Sequence, residues 1–104
     1  LHGEAVAIGM AAEAFLAESI GVAEAGLGSR VRRALEAFDL PVTIPEDLAA
    51  DDLLDAMRGD KKSREATVRF ALPARVGAMH QRVDGAWTVD VGEDKILQTL
   101  AASR

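Results

Sequence analysis

Two histidines and one lysine pair are the side chains whose type and placement could do chemistry in this sequence. His2 stands in LHGEAVAIGM, at the head of an apolar, alanine-rich stretch. A helix starting there would set the imidazole against the positive end of the helix dipole, with burial adding to the effect. Both disfavour imidazolium and leave a neutral ring able to ligate a metal. On spacing alone the plainer reading is favoured, a surface or capping histidine near a frayed end, because zinc asks for about three or four ligands. The chain has no HExxH, no cysteine and no second histidine near His2. His80 lies beside Gln81 and Arg82 and is expected to be solvated. Lys61 and Lys62 follow Gly59-Asp60 in a polar turn, where two ammonium groups could receive a phosphate or a carboxylate. Composition by itself favours an ordinary charged loop. Gly3 and Gly9 make no phosphate cradle, since neither follows a strand and their spacing is not a nucleotide fingerprint.

The elements that must position these groups are mostly helical. From His2 to Ile20 the residues are good helix formers, and Gly21 supplies the stop. His2, Ala5, Val6, Gly9, Ala12, Leu16 and Ile20 fall on one side, a small-residue face that lets a backbone or a ligand approach closely. A second helix is expected from about Ser29 to Phe38, with Ser29 as N-cap and Val31, Leu35 and Phe38 as anchors; it must stop before Leu40-Pro41. The run PVTIP reads as extended. A third helix over about Asp51–Met57 buries Leu53, Leu54 and Met57 and ends at Gly59. TVRFALP alternates Val68, Phe70 and Leu72 and reads as a strand ended by Pro73. GAMHQRV and AWTVDV read as two strands of a hairpin around Asp84-Gly85. A last helix, about Glu93 to Ala101, carries Ile96, Leu97 and Leu100.

Composition narrows the function classes. The 104 residues amount to one domain at most, and much of the apolar content is alanine, so a large independent core is not assured. A net charge of −5 without a basic stripe argues against nucleic acid. The absence of cysteine removes disulfides and thiolate chemistry and fits a reducing, cytoplasmic setting. No apolar run approaches the roughly 20 residues of a membrane span, and the start lacks the charged region of a signal peptide.

HGEAVAIGM, then LP near residue 40, then GDKK, then RFALP and a glycine turn form an ordered set. It closely resembles the C-terminal part of the 3-dehydroquinate synthase family, from Leu1 through about Gly77 and more weakly to the end. The resemblance implies a mainly α fold: a helical C-terminal domain of the dehydroquinate synthase type over residues 1–104, with a small antiparallel β insert. By the same resemblance His2 matches the histidine of the family's HGE motif, a protein ligand to a catalytic zinc. Lys61 matches the first lysine of the DKK block, which reaches the substrate near its phosphate; no role is carried over to Lys62. The implied reaction converts 3-deoxy-D-arabino-heptulosonate 7-phosphate to 3-dehydroquinate with loss of phosphate, a step of the shikimate pathway. In it NAD transiently oxidises a substrate alcohol, and zinc polarises the oxygens involved.

The family's other zinc ligands, a glutamate and a histidine, precede the HGE motif, as does its NAD-binding domain. The chain is therefore expected to be a fragment, inactive alone, whose partners are that N-terminal domain and a phosphorylated sugar acid. Its HGE face should be left open, so that the piece is marginally stable or recruits a second copy as a homodimer. Two alternatives stay open. One is a related cyclase acting on sedoheptulose 7-phosphate or glucose 6-phosphate; the other is a non-catalytic helical module that packs against a partner.

Overall fold

The computed structural model describes residues 1–58 and 67–104. Its elements run α1 (His2–Ser19), α2 (Leu27–Ala37), α3 (Ala50–Arg58), β1 (Thr67–Phe70), β2 (Pro73–Arg75), β3 (Ala78–Met79), β4 (Val89–Gly92) and α4 (Glu93–Ala102). The fold is mainly α with small antiparallel β pairs, as the sequence implies. No helix among the described residues is long and apolar enough to cross a membrane.

Helix α1 ends where glycine permits it. Gly21 takes φ +80, and the amides of Gly21 and Val22 donate to the carbonyls of Glu18 and Ala17 at 3.1 and 3.0 Å. That pair of bonds satisfies carbonyls a helix end would otherwise leave open. The second helix starts earlier than expected. Its N-cap is Gly26, not Ser29, and no side chain of its own caps it. The carboxylate of Glu18 reaches across from α1 instead, accepting from the Gly26 amide at 3.0 Å and from the Gly28 amide. A carboxylate there satisfies orphan donors and meets the positive end of the helix.

The same contact demands a small residue in α2. A Cβ built on Gly28 would lie 2.5 Å from Phe15 Cδ1 and 2.8 Å from Glu18 Oε1. Helix propensity would favour alanine at an open helical position by about 1 kcal/mol. Here the ring and the capping carboxylate must both give way. Gly28→Ala is expected to destabilise the chain by about 1–3 kcal/mol, read as a lower urea midpoint at unchanged slope. A raised midpoint would mean that propensity outweighs the clash.

Helix α1 buries Ala7 and Ala11 against Leu35 of α2, with Val31, Leu40 and Val42 packed around them. Its buried residues are Ala7, Ala11, Ala14, Leu16 and Ala17. The His2–Val6–Gly9 face stays open, as expected, with His2 and Val6 exposed. Leu16 and Ala17 join Ile44, Leu54, Leu72, Val91, Ile96 and Leu100 in the larger core. Two expected anchors stay in water: Phe38 is 79% exposed and Met57 39%.

Strand pairing also departs from the sequence reading. Pro73 does not close one long strand; it opens β2, which folds back onto β3 around Val76-Gly77. The turn at Asp84-Gly85 forms, with the Gly85 amide donating to the Arg82 carbonyl at 2.9 Å and the Ala86 amide to Asp84 Oδ1 at 3.0 Å. Its flanks are not strands, however. β4 leaves the expected hairpin and pairs antiparallel with β1, setting Val68 opposite Val91 and Phe70 opposite Val89. These apolar cross-strand pairs place β4 against the core, where Val91 is buried. A local hairpin would have offered Val83 and Trp87, both left in solvent.

Candidate functional site

His2 is the first residue of α1, and its side chain is exposed. The burial expected for it is therefore missing. At 3.6 residues per turn His2, Val6, Gly9 and Glu13 lie on one stripe. That stripe lies away from the alanines buried against α2, and it borders an apolar groove.

The groove consists of two adjoining clefts that share Gly9, Ala12, Met57 and Leu100. One, of about 210 Å³, is walled by Ala5, Ile8 and the loop residues Ile44 and Leu48. The loop is tied down by the Arg104 guanidinium, which donates to the carbonyls of Pro45 and Leu48 at 3.0 and 2.5 Å. The other, of about 270 Å³, is walled by Glu13, Leu16, Phe70, Ile96 and Thr99. Glu13 is the one carboxylate among the residues lining either cleft. Burial pushes its carboxyl above the ordinary value of 4.5. The sequence reading missed this residue; surrounded by alanines on a helix, it has the look of a solvated glutamate.

The raised carboxyl fixes the sign of a pH effect. The folded state holds the proton more tightly than the unfolded chain, so stability is full below pH 4.5 and falls as pH rises through the folded value. Glu13→Gln is expected to remove that fall, so that its urea midpoint gains on that of the parent chain between pH 4 and pH 7. Parallel midpoint-versus-pH curves for the two proteins would contradict the assignment.

The groove does not hold a complete metal site. Among the described residues no group of three or more His, Asp, Glu or Cys could hold an ion. Glu13 shares the stripe with His2, but eleven helical residues put about 16 Å between them, too far for one metal. The donor set fits a single contribution: one exposed imidazole at a helix end, free to reach outward. A dinucleotide does not fit the described residues, whose strand pairs are all antiparallel with no βαβ crossover to cradle a pyrophosphate. His80 is partly buried rather than solvated and donates its amide to the Leu72 carbonyl at 2.8 Å. Lys61 and Lys62 lie outside the described residues. On either side of their segment, Met57 and Phe70 both line the larger cleft.

Comparison with known proteins places this arrangement. The family model for the 3-dehydroquinate synthase C-terminal region matches residues 1–63. The 3-dehydroquinate synthase of Symbiobacterium thermophilum is 40% identical over 105 residues, covering 100% of this chain and 28% of the relative. That of a Synechocystis strain is 45% identical over 76 residues, covering 73% of the chain and 21% of the relative. That of a Synechococcus strain is 41% identical over 100 residues, covering 96% and 25%. The chain thus spans about a quarter of the length of the curated relatives it matches. With its HGE helix, its open groove and more than half of its residues under the family model, the chain belongs to the 3-dehydroquinate synthase C-terminal family.

Proposed function

We propose that this chain supplies the metal- and substrate-binding side of a 3-dehydroquinate synthase, a cytoplasmic enzyme that eliminates phosphate from 3-deoxy-D-arabino-heptulosonate 7-phosphate. The observation that carries the reading is the placement of His2. Its ring projects from the end of a rigid helix, on the stripe that borders an otherwise apolar groove. His2 would be this chain's ligand to a zinc ion whose remaining ligands, with the NAD-binding region, come from residues outside these 104. Bound zinc supplies Lewis acidity toward the alcohol and ketone oxygens of the substrate. Lys61 would meet the substrate's phosphate as a point charge, and its segment is flanked by two residues of the groove wall.

The test is a graft. This chain replaces the matching segment of the Symbiobacterium thermophilum relative, and phosphate release is followed with NAD and zinc present. The expected result is release from the heptulosonate phosphate and none from sedoheptulose 7-phosphate or glucose 6-phosphate. A folded graft that turns over one of the latter instead would assign the chain to a related cyclase. A folded graft with no turnover of any would leave the helical-module reading.

A further inference from the structure

A second apolar groove shares no lining residue with the first. It runs between α2 and the β2–β3 hairpin as two clefts of about 310 Å³ each, joined through Val31 and Val76. Three of its large apolar side chains stand in solvent: Met10 is 48% exposed, Val76 59% and Met79 50%. Each cleft also carries one arginine, Arg30 in the first and Arg75 in the second. Among the described residues neither guanidinium has a carboxylate within ion-pair distance, whereas the neighbouring Arg32 is matched by Glu36 at 3.7 Å. Neither cleft is lined by a carboxylate.

We propose that this groove docks an acidic amphipathic helix of a partner protein. An exposed apolar strip of this kind marks an interaction surface. Methionines at two of its positions let it repack around a helix laid along it. The charges choose the partner. The chain as a whole carries −5, so its overall field attracts cations. Arg30 and Arg75 invert that sign locally and match a helix whose apolar stripe is flanked by Glu or Asp. The overall and local fields therefore make opposite predictions, and the sign of the preferred peptide separates them.

The experiment uses two fluorescent helical peptides with the same leucine and alanine stripe, one flanked by Glu and one by Lys, titrated into the chain. The acidic peptide is expected to bind at least about tenfold more tightly, with the preference shrinking as salt is raised. The double variant Arg30→Glu/Arg75→Glu is expected to reverse the order. Val76→Asp, a change on an exposed turn, should abolish binding at an unchanged urea midpoint. Equal or tighter binding of the Lys peptide would overturn the proposal, as would acidic binding indifferent to Val76→Asp. Self-association lost in Val76→Asp would make a second copy the occupant and overturn it too. So would binding by the chain but not by its graft into the longer relative, which would show the groove to be covered by the relative's own residues.

Discussion

Leu72→Ala is expected to lower the unfolding free energy of this chain by about 2–5 kcal/mol. Leu72 is 1% exposed and lies between β1 and β2, in the core shared with Leu16, Leu54, Val91, Ile96 and Leu100. Its carbonyl accepts the His80 amide, so the backbone on either side is held and cannot slide in to fill the space. A cavity left by truncation therefore stays open, and the cost includes lost contacts as well as lost burial. The control is Phe38→Ala. That ring is larger but 79% exposed, and its loss should change stability by no more than about 0.5 kcal/mol. Urea midpoints of the two variants, measured side by side, check the contrast. A larger loss at Phe38 than at Leu72 would mean the core is elsewhere.

His2→Ala carries the largest expected functional effect, and almost none on stability. The side chain is exposed at a helix start, so removing it leaves no buried cavity. In the graft with the longer relative, kcat/KM should fall by at least about a hundredfold. Loss of a mere supporting partner of a metal ligand already costs about 10–100-fold, and loss of the ligand itself costs more. The split between the two readouts is what identifies the role. A fall in activity with an equal fall in urea midpoint would mark His2 as structural. Retained activity would remove it from the metal site altogether.

The limits of α1 were legible because their causes are local: a run of strong helix formers and a glycine that can take positive φ. The open face through His2, Val6 and Gly9 was legible too, and His2 and Val6 are exposed. The face that packs on α2 was not. The helix is apolar nearly all round, so hydropathy alone gives little contrast between faces. The actual inward stripe is alanine, chosen by how closely α2 must approach, a fact that resides in Gly28 and Phe15 on different helices. The N-cap at α2 failed for the same reason, since Glu18 supplies it from another element.

Strand pairing shows the limit again. The Asp84-Gly85 turn was readable because Asp84 and Gly85 make it themselves, but β4's partner is β1, some twenty residues earlier in the chain. Within the candidate site, HGE marked His2 and GDKK marked Lys61 through resemblance. Glu13 gave no such sign. Its carboxyl is unusual only through burial, beside a cleft that it lines together with Phe70, Ile96 and Leu100, from elements far along the chain.

Calorimetric zinc titration shows whether His2 is one ligand of a shared metal site. It should be run on this chain, on its graft into the longer relative, and on the same graft carrying His2→Ala. The expected result is tight one-to-one binding by the graft alone, lost in His2→Ala. Tight binding by the 104 residues alone, or a graft whose affinity ignores His2→Ala, would contradict it.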